Sequence, residues 1–408
     1  MKDSTGRRLD DFEVQSRWRR SIKDFGVIGD GTTDDTSAIV EALGSGYPLF
    51  APEGTYLHDG IPLQNGTDLH GAGIAKTFFK LKANSSNAAM YTVNNYVGNL
   101  NLSGFTIDGN KANQSVARIG LDINNTGTAT EHRSVSPFGN SGHDPRHNIT
   151  NVMIWRCKGS GFRQQGRGAS HFQRMWSMEC DGHGFEILGY DNLYTHLDSG
   201  AAGLAGIYLS SSAASNRFSS IKSWYSGQTD RTTYGQGILL DGARTNQFSS
   251  TEIQNSGSDG IKLLNANGNM FASTVIEFPP NPANACDGVV VEDSSYTIGD
   301  FTVWDRGSSP YSLRHGIVLR KGSGSGCSAN DIRATVQNQT GSLVSNQGGQ
   351  TFANNRIDIA GGRYTYQVRA NWGYFPAYAN DAGAAAGGVS VGDTYFNTTV
   401  GAYTRRVS

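Results

Sequence analysis

The chain has 408 residues in which 34 Lys and Arg balance 35 Asp and Glu, so no net field draws it to nucleic acid or an anionic membrane. A neutral partner such as a sugar stays open. Charged residues make up only 17% and Gly reaches 53, a profile of many short strands and turns more than of helices.

No stretch approaches the roughly 20 apolar residues needed to span a bilayer. The opening MKDSTGRRLDD also lacks the apolar core of a secretory signal, so neither membrane insertion nor export by the usual route is expected. The first element is marked by VIGDGTTDDTSAIVEAL, Val27 to Leu43. Its aspartates lack the alternating ligand order and closing bidentate Glu of a calcium loop. They read instead as a helix start, with Asp35 or Thr36 as N-cap and Ala38, Ile39, Ala42 and Leu43 on one apolar face. No metal and no cofactor is expected.

From about residue 99 to 358 one phrase returns: an Asn-led apolar strand, a turn, then Gly followed by apolar, any, apolar. The glycines are Gly161, Gly184, Gly206, Gly237, Gly260, Gly288 and Gly316, and the Asn-led strands include NRFSS at Asn216, NQFSS at Asn246 and NMFAS at Asn269. A repeat of this length, made of strands with period 2, is a solenoid coil whose longer steps carry loop insertions. The expected fold is all-β, a parallel β-helix with an N-terminal capping helix. Alternation turns Ile261 and Leu263 inward and Lys262 outward.

The best register lays RCKGSGFR, Arg156 to Arg163, over ECDGHGFE, Glu179 to Glu186. It sets Arg156 beside Glu179, Lys158 beside Asp181, Cys157 beside Cys180 and Arg163 beside Glu186, which predicts three ladders of opposite charge. The four cysteines, with Cys286 and Cys327, show no metal-ligand spacing and read as reduced core thiols.

IKDFGVIGDGTTDDTSAIVEAL, followed by PLFAPEGTYL, LHGAG and LNLSGFTIDGN, resembles the N-terminal signature of the pectate-lyase superfamily of right-handed β-helices, over roughly residues 22–110. That superfamily holds glycoside hydrolases, polysaccharide lyases and the trimeric tailspikes of bacteriophages. DGHGFEI around His183 contains the GHG letters of polygalacturonases without their partner motifs, so His183 reads first as a turn residue in the slot of Ser160.

The resemblance implies a phage tailspike-like depolymerase, assembled in the host cytoplasm and carried on the virion as a homotrimer. Residues 1–21 would be an arm docking on a phage tail or baseplate protein, 22–365 the β-helix, and 366–408 a linker and short tail. Its expected partner is a bacterial surface polysaccharide: capsule, exopolysaccharide or O-antigen. Glycoside hydrolysis by a carboxylate pair leads; a lyase acting by β-elimination and a non-catalytic receptor-binding spike stay open.

Hydrolysis needs two carboxyls, about 5.5 Å apart for retention or about 6.5–9.5 Å for inversion. Outward acids on the coils supply Glu186 and Asp241 as leading candidates, with Asp181 and Glu252 behind them. Tyr208, Trp224 and Tyr225 would form the sugar platform, with Arg163 beside Glu186. Asp241 with Glu292, and Glu252 with Glu277, are further acid pairs. The loop Lys222 to Gly237 walls a groove on the same side as Glu277 to Cys286, and Thr130 to His147, with His143 and His147 as possible acid–base groups, is a third wall.

Overall fold

The computed structural model describes residues 19–128, 130–131, 145–278, 286–306, 313–350 and 354–361, and short strands at 368–369, 377–378, 394–397 and 402–405. Two parallel sheets dominate it, one of 17 strands and one of 11. Each coil gives the first sheet a long strand, such as His171–Met178, Leu193–Gly200, Arg217–Trp224 and Gln247–Gln254. The second sheet receives the short strand that follows, such as Phe185–Gly189, Ile207–Leu209, Ile238–Asp241 and Ile261–Leu264. Strands pair with the same strand of the next coil, which makes the molecule the expected right-handed parallel β-helix.

The long strands bend midway, a feature the periodicity did not show. Arg174, His196, Ser220 and Ser250 hold φ of 50°, 53°, 57° and 51° at matching points of successive coils. One left-handed residue per coil skips a ladder position and turns the chain, so the first sheet has two arms meeting at a corner.

Two stacks run down the interior. Phe172, Tyr194, Phe218, Phe248 and Phe271 lie 5.1, 4.7, 4.4 and 4.7 Å apart, with rings within 14° of parallel, because the coil repeat is itself near stacking distance. The Asn that leads each long strand is buried. Asn216, Asn246 and Asn269 each accept the backbone N–H of the Asn one coil earlier at 3.0 Å, which satisfies turn amides that no strand can pair.

The glycine that opens each short strand is required by close approach. A Cβ at Gly184 would lie 1.9 Å from Ser199 Oγ and 2.6 Å from the Gly206 carbonyl. The four cysteines are buried free thiols, and Ile261 and Leu263 point inward as the alternation required.

Helix α1, Thr36–Gly44, caps the first coil with Ile39, Ala42 and Leu43 buried. Asp35 stands at its N-cap without capping by its side chain. Its carboxylate instead accepts the amides of Ile28 and Gly29 at 2.7 and 2.9 Å. Asp30 binds the amides of Thr32 and Thr33, and Asp34 binds Thr36 and the Lys82 ammonium, so these acids shape turns.

The offset of 23 between Phe162 and Phe185 is confirmed, but the charge ladders use other partners. Arg163 grips Asp122 of the preceding coil through two bonds of 3.0 and 2.6 Å, not Glu186. Arg156 pairs with Asp108 at 2.8 Å, not Glu179, and Asp181 takes Lys111 at 3.0 Å, not Lys158. The reason is geometric for Arg163: Asp122 and Glu186 flank it at matching positions of the two neighbouring coils, and its guanidinium turns to Asp122.

Candidate functional site

Two outward faces meet where the first sheet passes to the second, and the residues singled out from the sequence divide between them. On the second sheet, Asp122, Arg163, Glu186, Tyr208, Leu239 and Lys262 occupy one column in consecutive coils. The Tyr208 ring stacks on His183 at 4.6 Å and 13°, and Tyr234 of the loop before Gly237 stands edge-on to both at 6.4 and 5.5 Å. Burial, and then the nearby charge of Asp241, push the Tyr208 phenol up to about 12, which disfavours it as a base.

His183 is buried, and burial lowers its pKa to about 4, so the ring is neutral. It stands one residue before Gly184, as Ser160 stands before Gly161, which is the turn slot expected for it. Glu292 does not form a free pair with Asp241, since Lys262 and Arg320 both hold its carboxylate at 3.1 Å. His147 is also occupied: its Nδ1 accepts the Leu100 amide at 3.2 Å and its Nε2 meets Asn125 at 2.7 Å, in a buried site that disqualifies it as a groove base.

The second face is the later arm of the first sheet. Asp198, Lys222 and Glu252 occupy one outward column, and Trp176 precedes Asp198 in it. Two residues further along each strand, Trp155, Met178, Gly200, Trp224, Gln254, Glu277 and Trp304 form the next column. Four of the six tryptophans thus lie on this arm, all half-buried. The Trp224 indole lies over Gly200, where a Cβ would come within 2.5 Å of the ring, and its Nε1 donates to Asp198 at 2.7 Å.

Burial raises the Asp198 pKa, against the lowering by Trp224 and Lys222. Lys222 and Glu252 pair at 3.4 Å, and Gln254 bridges Glu252 and Glu277 at 2.7 and 2.8 Å, so those two acids are neighbours as expected. The arm thus places one carboxyl biased toward its protonated form two coils from a partly exposed carboxylate, with indole faces beside both.

Tyr225 begins the turn after Trp224 with φ 54°, is 48% exposed, and sets its ring edge-on to Trp224 at 5.7 Å. Asp181 lies in the equivalent turn two coils earlier, bound to Lys111. The structure therefore gathers Glu252, Trp224 and Tyr225 with Asp198, and Glu186, Asp241, Tyr208 and Arg163 with Tyr234 and His183. The sequence reading did not single out Asp198, Trp155, Trp176 or Trp304, although each sits at an outward, alternate position of a long strand. His143 and residues 279–285 lie outside the described residues.

These features define a parallel β-helix, and residues 19–168 match the family model described as rhamnogalacturonase A/epimerase, pectate lyase-like. The chain is 29% identical over 206 residues to the preneck appendage protein of Bacillus phage PZA, a match covering 41% of this chain and 24% of that protein. It is 27% identical over 216 residues to mannuronan C5-epimerase AlgE2 of Azotobacter vinelandii, covering 46% and 22%. The chain thus spans about a quarter of the length of these curated relatives. Among solved structures, the enzymatically active domain of tailspike protein 2 of bacteriophage CBA120 superposes with a TM-score of 0.59 at 18% identity, covering 82% of this chain and 49% of that one, which is a likeness of fold.

Proposed function

We propose that the chain is the polysaccharide-degrading body of a phage tailspike-like appendage, acting on a bacterial surface polysaccharide. The observation that carries this reading is the later arm of the first sheet, where four outward tryptophans line a face holding Asp198 and Glu252. Indole faces stack on the C–H faces of sugar rings, and an open face along a solenoid accepts a polymer. The likeness to phage appendages and tailspikes supports the virion setting and the bacterial source of the polymer.

Hydrolysis follows from the acids. Asp198, biased toward its protonated form, donates to the glycosidic oxygen, and Glu252 activates water from the other side. Their backbone positions are two coil steps apart, about 9.6 Å, close to the separation that leaves room for a water in inverting enzymes. Lys222 stands between them in the column and pairs with Glu252 at 3.4 Å.

A second reading puts cleavage on the second sheet, with Glu186 and Asp241 on either side of Tyr208; the stacking of Tyr208 on His183 with Tyr234 edge-on to both favours it. Residues 1–21 as docking arm, 22–365 as β-helix, 366–408 as linker and tail, and a homotrimeric state belong to the same proposal. A monomer by light scattering would remove the trimer.

The test is incubation with host surface polysaccharide, following reducing ends and ultraviolet absorbance in parallel. Reducing ends alone support hydrolysis, a new absorbing double bond means elimination, and neither means a non-catalytic binding spike. Asp198→Asn and Glu252→Gln should each lower turnover by about 10²–10⁴-fold. Loss in Glu186→Gln and Asp241→Asn instead would move the site to the second sheet.

A further inference from the structure

We propose that a groove at the far end of the tryptophan-bearing arm binds the polymer as an extension of the candidate site, and that it selects a backbone of uncharged sugars over one of uronic acids. The groove, of about 480 Å³, lies on the first sheet across strands Met270–Phe278, Ile298–Asp305, Asp331–Gln337 and Arg356–Gly361. It opens where the corner of that sheet ends. Ser273 is the last corner residue with left-handed backbone, at φ 53°. The strand beginning at Ile298 has one residue fewer over the same stretch, since Phe271 pairs with Gly299 but Thr274 with Phe301. The next strand follows it residue for residue, from Ile298 and Asp331 to Trp304 and Gln337, so bent coils meet straight ones at this groove.

Two columns bring it into line with the candidate acids. The column of Asp198, Lys222 and Glu252 continues in register through Val275, Thr302 and Thr335, so the groove begins one coil beyond Glu252. From Glu252 to Thr335 is three coil steps, about 14 Å, the span of a short oligosaccharide. Beside that column Asp300, Arg333 and Asp358 stand in register on consecutive coils. Val275, Thr302, Thr335, Asp300 and Arg333 are all exposed. Val275 offers an apolar patch to the C–H face of a sugar and the threonines offer hydroxyls, while carboxylates flanking a guanidinium accept from and donate to neighbouring sugar hydroxyls.

The charge along this path opposes an acidic chain. Its cations already face carboxylates: Lys222 pairs with Glu252 at 3.4 Å, Arg333 with Asp300 at 3.6 Å, and Arg306 with Glu277. Asp198 and Asp358 add further carboxyls, so the described residues of the path carry more acids than bases. A uronic-acid chain would bring a carboxylate on each sugar to a path with no cation left over among those residues, and would meet like charge at Asp300 and Asp358. Uncharged sugars meet the same hydrogen-bonding groups without that repulsion. That the groove takes a sugar polymer rests on the proposed polysaccharide reading; its place and its charge do not.

The full chain carrying Glu252→Gln, which on that reading binds without cleaving, is passed over an array of bacterial polysaccharides, some uncharged and some containing uronic acids. Retention should be confined to uncharged polymers. In the same background Asp300→Ala should weaken retention by about tenfold, the worth of one hydrogen bond to a charged group, and Thr335→Trp, which fills the groove, by at least as much. Both positions are exposed, so melting temperatures should match the parent. Retention of uronic-acid polymers, retention undiminished in both variants, or no retention of any polymer overturns the proposal. The two readings fail separately. Cleavage of host polysaccharide that Asp300→Ala and Thr335→Trp leave at the parental rate removes the groove and keeps the depolymerase, whereas groove-dependent retention of an uncharged polymer that the parent does not cleave keeps the groove and removes the hydrolysis.

Discussion

The Trp224 indole N–H donates to the Asp198 carboxylate at 2.7 Å, so the largest aromatic surface beside the candidate acid also adjusts that acid. The bond favours the charged carboxylate and opposes the burial that raises its pKa. Trp224→Phe keeps an apolar ring and removes the donor, so the Asp198 pKa rises further. If Asp198 must be protonated to act, the alkaline limb of the pH–rate profile moves to higher pH, while Trp224→Ala mainly raises KM. A Trp224→Phe profile superimposed on that of the parent would show that Asp198 is not the acid.

Buried asparagines make the interior stack sensitive to single changes. Asn246 accepts the Asn216 amide at 3.0 Å and donates to the Ala213 carbonyl at 3.1 Å. Asn246→Ala leaves the Asn216 amide buried without an acceptor, while the Ala213 carbonyl keeps the Arg244 amide at 3.1 Å. The change should cost about 1–3 kcal/mol. Urea unfolding should show a lower midpoint with an unchanged slope. Asn246→Asp keeps the acceptor but loses the donor, and should fall between the two.

How legible this was from sequence differs by element. The register of the coils, the glycine before most short strands and the Asn before most long ones recur in the letters because each answers a constraint repeated from coil to coil. The corner within the first sheet does not, because its left-handed residue is Arg174, His196, Ser220 or Ser250 rather than a repeated type. Without that corner the outward positions of Trp155, Trp176, Trp224 and Trp304 fall on no shared face, and the loop aromatics drew attention instead. Ion pairs were misassigned for a related reason: Arg163 has an acid on each side, and chain geometry alone chose Asp122.

That choice can be measured. Arg163 and Asp122 are both mostly buried and form two hydrogen bonds, whereas Glu186 is only the next residue in the column. Asp122→Asn should therefore cost about 1–2 kcal/mol, and Glu186→Gln less than about 0.5 kcal/mol. Equal losses in thermal unfolding would restore the Arg163–Glu186 ladder.

Acid stability depends on two buried histidines and a half-buried carboxyl of opposing sign. Burial lowers His58 and His183 to about 4, so between their ordinary value of 6.5 and about 4 the unfolded chain binds protons that the folded chain refuses. Each then removes up to about 1.4 kcal/mol of stability per pH unit as pH falls through that window. Asp259 works the other way. Burial and the neighbouring Asp287 raise it from 3.8 to about 6, so between these values the folded chain binds the extra proton and gains stability as pH falls. From pH 6.5 to about 6 the two histidines act unopposed; below that, Asp259 offsets one of them. Asp259→Asn keeps an acceptor for the Asp287 amide that Asp259 holds at 3.0 Å and removes the half-buried charge. It should raise the melting temperature at pH 7.5, where Asp259 is ionised, and do so much less at pH 4.5, where the carboxyl is already neutral. His183→Asn should flatten the decline between pH 6.5 and 4. A melting profile for Asp259→Asn that runs parallel to the parent from pH 7.5 to 4.5 would mean that Asp259 titrates at its ordinary value and that solvent reaches its carboxylate.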